Sequence, residues 1–186
     1  MTADFGNGFW SYLCRFHGKD YPYVSPSGWY EWSPWTPEEL SAAWDAFGNE
    51  HNFWLTLKEY TENANAIREV LDSDNPPDIY YITSRTPSGG DSVLHQTNSW
   101  LDSGDLLRLG ASAIVVANPS DKSKVVKALG LDAVIDDKLD TVVQGKPIGA
   151  WWLLDRTWNQ AERPFGLQVV GSLKEWFEKL KDKNVI

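Results

Sequence analysis

Beyond residue 78, short apolar runs alternate with longer stretches in which apolar positions recur every three or four residues. Asp78-Ile79-Tyr80-Tyr81-Ile82-Thr83, Ala113-Ile114-Val115-Val116 and Ala133-Val134-Ile135 have the length and β-branched or aromatic character of strands, and each runs into polar residues. Residues 92–103 and 122–129 carry a helical pattern, the second closing at Gly130. Trp151-Trp152-Leu153-Leu154 and Leu167-Gln168-Val169-Val170 predict two further strands, and residues 173–180 a C-terminal helix. Strands that are apolar throughout have both faces covered. The repeated strand–helix order therefore predicts an α/β fold, a parallel sheet with helices on both faces.

Before about residue 60 the pattern is different. Six of the eleven tryptophans (Trp10, Trp29, Trp32, Trp35, Trp44 and Trp54) lie there among Pro22, Pro26, Pro34 and Pro37, which predicts short helices joined by rigid, aromatic-pinned loops. Thr36-Pro37-Glu38-Glu39-Leu40 combines an N-cap, a proline at the first helical position and first-turn acids, and opens a helix to about Phe47. A second helix is expected over 63–71, with Ala64, Ile67, Val70 and Leu71 facing inward. Residues 1–75 then form a small helical, aromatic-rich cap and 76–186 the α/β core of one composite domain, a size that holds one sizeable core.

Charge and composition narrow the function. A 42% hydrophobic and 23% charged chain with no long apolar stretch excludes membrane spanning. The N-terminal residues Met1 to Gly8 have neither the basic nor the apolar region of a secretory signal, and Cys14 is the only cysteine; both point to a reducing cytoplasm. A net charge of −9 excludes extended, charge-driven binding to nucleic acid. An acidic protein that handles phosphate must do so locally, through a metal ion and a few cations. His17, His51 and His95 are too dispersed for a triad or a zinc site.

Ligands of open parallel α/β sheets bind outside the carboxyl ends of the strands. Three groups follow strands here: Thr83-Ser84-Arg85, Asn118 to Lys122, and Asp136-Asp137. Each has an ordinary reading as a helix cap, a surface lysine or a pair of solvated loop acids. Adjacent carboxylates at a strand end nevertheless repel unless a cation stands between them, and a hard divalent ion suits them. Lys122 opens a helix, where the dipole disfavours a cation unless an anion binds nearby.

Taken in order, hydroxyls after one strand, a lysine opening the next helix and paired acids after the third strand resemble motifs two, three and four of the haloacid dehalogenase (HAD) superfamily. Tyr81-Ile82-Thr83-Ser84-Arg85, Gln96-Thr97-Asn98-Ser99-Trp100-Leu101, Asp121-Lys122 and Leu129 through Lys138 resemble its 5′(3′)-deoxyribonucleotidase branch, cytosolic type. Leu153 through Asn159 is similar to a late segment of microbial and phage relatives. The resemblance covers roughly residues 50–160. It implies a HAD-like Rossmannoid core and an Mg²⁺-dependent phosphomonoesterase that forms an aspartyl-phosphate, with a (deoxy)nucleoside monophosphate as substrate. Carried over by position, Thr83 binds phosphoryl oxygens, Lys122 balances their charge, and Asp136 and Asp137 hold or orient Mg²⁺. Ser84 and Arg85 line the phosphate end, and Phe53 and Trp54 fall where relatives contact the base. Relatives often dimerise, which leaves room for a homodimer.

One motif departs from the family. The Asp-x-Asp nucleophile motif should end a first, central strand, and no such strand is present; Ala3-Asp4-Phe5 resembles the residues that follow it. Asp4 is no substitute, because Gly6 occupies the position two residues on and no strand can form ahead of it. The expectation is a truncated or mis-started reading of a longer enzyme, inactive as it stands, with two apolar strand edges left unpaired. The alternatives are a phosphate- or nucleotide-binding relative that has lost turnover, and a Trp-rich interaction domain.

Overall fold

In a computed structural model, the structure describes residues 2–28, 31–108, 111–147, 150–160 and 163–186; Trp29 lies outside them. It is α/β, with parallel strands in two small sheets and helices packed on them. Strands β1 (Ile79–Ser84) and β2 (Ala111–Val116) pair parallel, in register from Ile79 with Ala111 to Ser84 with Val116. Strands β3 (Ala133–Asp136), β4 (Ala150–Leu154) and β5 (Gln168–Val170) form the second sheet in that order, also parallel.

The helices form where sequence supplies caps. Helix α2 (Pro37–Ala46) opens on a complete capping box between Thr36 and Glu39. Ser92 caps α4 (Val93–Ser103) and Ser172 caps α7 (Leu173–Asp182) through their hydroxyls. Gly130, at φ 64°, ends α5 (Lys122–Leu129) in the left-handed conformation that glycine adopts without strain. Helix α3 (Thr61–Leu71) starts two residues before the sequence places it.

Two helices are not legible in the apolar pattern. Helix α1 (Phe5–His17) is a thirteen-residue helix in a region expected to hold only short ones, capped by Asp4 through a 3.0 Å bond from the Asn7 amide. Its periodicity is masked by Gly6 and Gly8, poor helix formers that here allow close packing: a Cβ on Gly8 would sit 2.3 Å from Leu57. Helix α6 (Leu139–Gly145) spans only seven residues and follows β3 directly.

Side chains along the strands alternate between two apolar layers. On one face Tyr81, Ile135, Trp152 and Leu154 pack against α3, α4 and α7. On the other, Ile82, Val134, Trp151 and Leu153 pack against Val126 of α5 and Val142 of α6. Each layer therefore contains residues of both sheets. A third cluster, centred on Phe9, Tyr12, Phe47 and Phe53, is almost wholly aromatic. Among the described residues no helix is long and apolar enough to cross a membrane.

Gly145 packs directly against Trp151, where a Cβ would approach the indole to 2.1 Å. Gly145→Ala should therefore overpack this layer and destabilise the fold by about 1–3 kcal/mol. Thermal or urea denaturation reads the change; a loss under about 0.5 kcal/mol would mean that the layer yields easily.

Candidate functional site

The parallel strands deliver the sequence-singled residues to the carboxyl ends of the sheets. Thr83 and Ser84 close β1, Arg85 follows them, Lys122 is the first residue of α5, and Asp136 closes β3 with Asp137 next. Helix α5 leaves the β2 end, packs over β1 and leads to β3. Its first side chain bridges the two sheets: Lys122 Nζ donates to Asp136 Oδ2 at 2.6 Å. Both side chains are shielded, at 16% and 7% exposure, so the pair lies in a low-dielectric setting and neither charge is solvated alone. The other Asp136 oxygen accepts the Lys138 amide at 2.8 Å, so each oxygen accepts one bond.

Asp137 differs from its neighbour. Its side chain is half-buried and its carboxylate makes no hydrogen bond to a described residue. Its backbone carbonyl is held by Asn159 Nδ2 at 2.8 Å, and the same nitrogen donates to Leu154 O at 2.8 Å. Asn159 is buried and pins the turn after β3 to the end of β4. Among the described residues no group of three or more His, Cys, Asp or Glu gathers in a form that could hold a metal. The donor chemistry suits an Mg²⁺ ion shared between one protein carboxylate, water and a phosphate, the manner in which Mg²⁺ is commonly bound, and not a closed protein cage. Asp137 and the lone pairs that Asp136 keeps are the carboxylate donors at this strand end.

Arg85 is the least compensated cation of the group. Its guanidinium lies over the Trp54 ring at 4.8 Å and donates to Thr97 Oγ1 at 2.9 Å, with no carboxylate partner among the described residues. Thr97 can accept because its own proton goes to Val93 O at 2.7 Å. Burial pushes the Arg85 pKa down, to about 10, because desolvation disfavours the charged form. The guanidinium is still cationic at neutral pH. Thr83, two residues earlier, has a half-buried hydroxyl with no hydrogen bond to a described residue, whereas Ser84 Oγ donates to Ala117 O at 3.4 Å.

Phe53 and Trp54 are buried, at 2% and 5% exposure, inside the aromatic cluster. The Trp54 indole nitrogen donates to Thr86 O at 3.0 Å and its amide to Gln96 Oε1 at 3.1 Å, which fixes the ring under Arg85. The tie to Arg85 was missed in the sequence, as were Thr97, Gln96 and Asn159. Each lies in a segment that carries the family resemblance, but a buried amide or hydroxyl leaves no periodic signal. Arg156 is a further missed cation, 5.5 Å over the Tyr60 ring.

Neither a scan against protein-family models nor a search of the curated proteins finds a match to this chain.

Removing one partner of a buried pair strands the other charge. Lys122→Met should destabilise the fold by about 3–5 kcal/mol, and adding Asp136→Leu should recover part of that loss. Urea denaturation of the two single variants and the double variant measures the coupling; additive losses would show that the pair is not energetically linked.

Proposed function

We propose that the chain carries the phosphate-binding and Mg²⁺-holding part of a HAD-type phosphomonoesterase for nucleoside monophosphates, of the 5′(3′)-deoxyribonucleotidase kind. The observation that carries this reading is Arg85, a desolvated guanidinium with no acid partner, at the same strand end as the unbonded Thr83 hydroxyl. A cation so placed is best satisfied by an anionic ligand. In this reading Thr83 donates to a phosphoryl oxygen, Ser84 and Arg85 line the phosphate end, and Lys122 balances charge from the position Asp136 gives it. Asp137 offers its carboxylate to Mg²⁺, which when bound would neutralise charge on the phosphoryl oxygens. Phe53 and Trp54, sequence-expected base contacts, are buried and in this reading support Arg85 from within.

Hydrolysis through an aspartyl-phosphate needs a further carboxylate at the end of a strand between β1 and β3. Asp136 ends β3 and pairs with Lys122, so it does not lie on such a strand. Without that carboxylate the second reading is phosphate or nucleotide binding without turnover.

Titration calorimetry with deoxynucleoside monophosphates should show saturable binding that strengthens with Mg²⁺. Arg85→Gln should weaken it about tenfold, the scale of one charge-assisted hydrogen bond. Asp137→Asn should abolish the Mg²⁺-dependent part alone. Absence of binding by the folded chain would sink both readings, and phosphate release from the bound nucleotide would separate the first from the second.

A further inference from the structure

We propose that Asn52 is a positioning residue: it latches the loop between β1 and α4 to the turn that carries Trp54 and so holds the Trp54 ring beneath Arg85. The proposal rests on the reading of Arg85 as the anion contact and adds the residue that sets its place.

After Arg85 the chain forms a loop over residues 86–91 before Ser92 caps α4. Three ties to this loop come from Asn52. Its amide donates to Gly89 O at 2.7 Å, its Oδ1 accepts the Asp91 amide at 2.8 Å, and its Nδ2 donates to Asp91 Oδ2 at 3.1 Å. Trp54 holds the other end of the loop through the 3.0 Å bond from its indole to Thr86 O. The loop is thereby fastened at both ends to one short stretch, residues 52–54, and that stretch ends in the ring under Arg85.

Asn52 adopts φ 52° and ψ 37°, a left-handed conformation that strains a residue with a Cβ and persists where the surroundings impose it. Conformation and partners together account for the residue type. After glycine, asparagine and aspartate tolerate this backbone best. Glycine would keep the backbone bond and lose both side-chain bonds, while aspartate would set a second carboxylate against Asp91 and offer no donor. An amide answers the Asp91 N–H and the Asp91 carboxylate at once. Gly90, at φ 88°, makes room for it, since a Cβ there would stand 2.3 Å from Asn52 Oδ1. The latch lies outside the three apolar clusters, with Asn52 half-buried and Asp91 exposed. Its loss should therefore displace the Arg85–Trp54 contact and leave the core intact, which separates a positioning role from a merely stabilising one.

The test exchanges the two partners in the whole chain. Asn52→Asp brings two carboxylates together and breaks the latch; adding Asp91→Asn restores one donor and one acceptor in exchanged places. The first readout needs no ligand: the Arg85 Nε–H resonance, assigned by its loss in Arg85→Gln, reports the ring current of Trp54. It should move in Asn52→Asp and return in the double variant. The second readout is titration calorimetry with inorganic phosphate, in which the single substitution should weaken binding about fivefold, less than Arg85→Gln, and the double variant should recover it. Asn52→Gly, which keeps the left-handed backbone without the amide, should move the resonance too, and Tm should change little throughout. A resonance that stays in place in Asn52→Asp overturns the proposal, as does a double variant that fails to return it. Phosphate binding that is unchanged while the resonance moves overturns the positioning role as well. A resonance that moves in a chain that binds no phosphate upholds the latch and sinks the anion site instead.

Discussion

Among the described residues the two sheets share no backbone hydrogen bond, so their carboxyl ends are held by side chains and by the helical layers that cover them both. Lys122 and Asp136 are the polar part of that tie. Exposed ion pairs elsewhere, such as Lys124 with Asp121, contribute about 0–1 kcal/mol and do not fix geometry. The shielded pair is different: little of its Coulombic attraction survives the desolvation of two charges, but breaking it leaves one of them stranded. Its main effect is therefore positional. It sets the distance between the β3 end and the loop that leaves β2, and the remaining polar groups of this edge are arranged around that span.

Much of this arrangement was legible in the sequence, for a physical reason. Residues that end a buried strand must leave the apolar layer together, so polarity switches abruptly after Thr83, Val116 and Ile135, and the switch marks the edge where ligands bind. Periodicity likewise revealed β1 through β5 and the capped helices. Helix α1 escaped because two glycines in its first turns are tolerated by close packing, Gly6 by Tyr23 and Gly8 by Leu57, contacts that no local pattern encodes. Helix α6 escaped because seven residues are too few to establish a period. At the site, residue types and order could be read, but partners could not. That Asp136 accepts from Lys122, while the Asp137 carboxylate bonds no described residue, depends on how the chain turns as it leaves β3.

Trp54, the ring under Arg85, belongs to a largely aromatic cluster built before residue 60. Phe5, Phe9, Phe47 and Phe53 surround Trp54 or its neighbours in stacked and edge-on contacts, which gives a rigid aromatic body with few rotatable bonds. Gln96, fully buried, joins that body to α4 through the Trp54 amide on one side and Asp91 O on the other. The ring that emerges under Arg85 is consequently held from behind and from the side.

Such precise support for a cation that lacks a counter-charge is hard to explain by stability. A cation–π contact contributes about 0.5–2 kcal/mol and a hydrogen bond to Thr97 about 1.5–3 kcal/mol. Desolvation lowers the Arg85 pKa, while the residue as a whole is half-buried and keeps part of its hydration. A simple core would place an apolar side chain over Trp54. The uncompensated charge is instead a property of the edge where Thr83 has a free hydroxyl and Asp137 a free carboxylate.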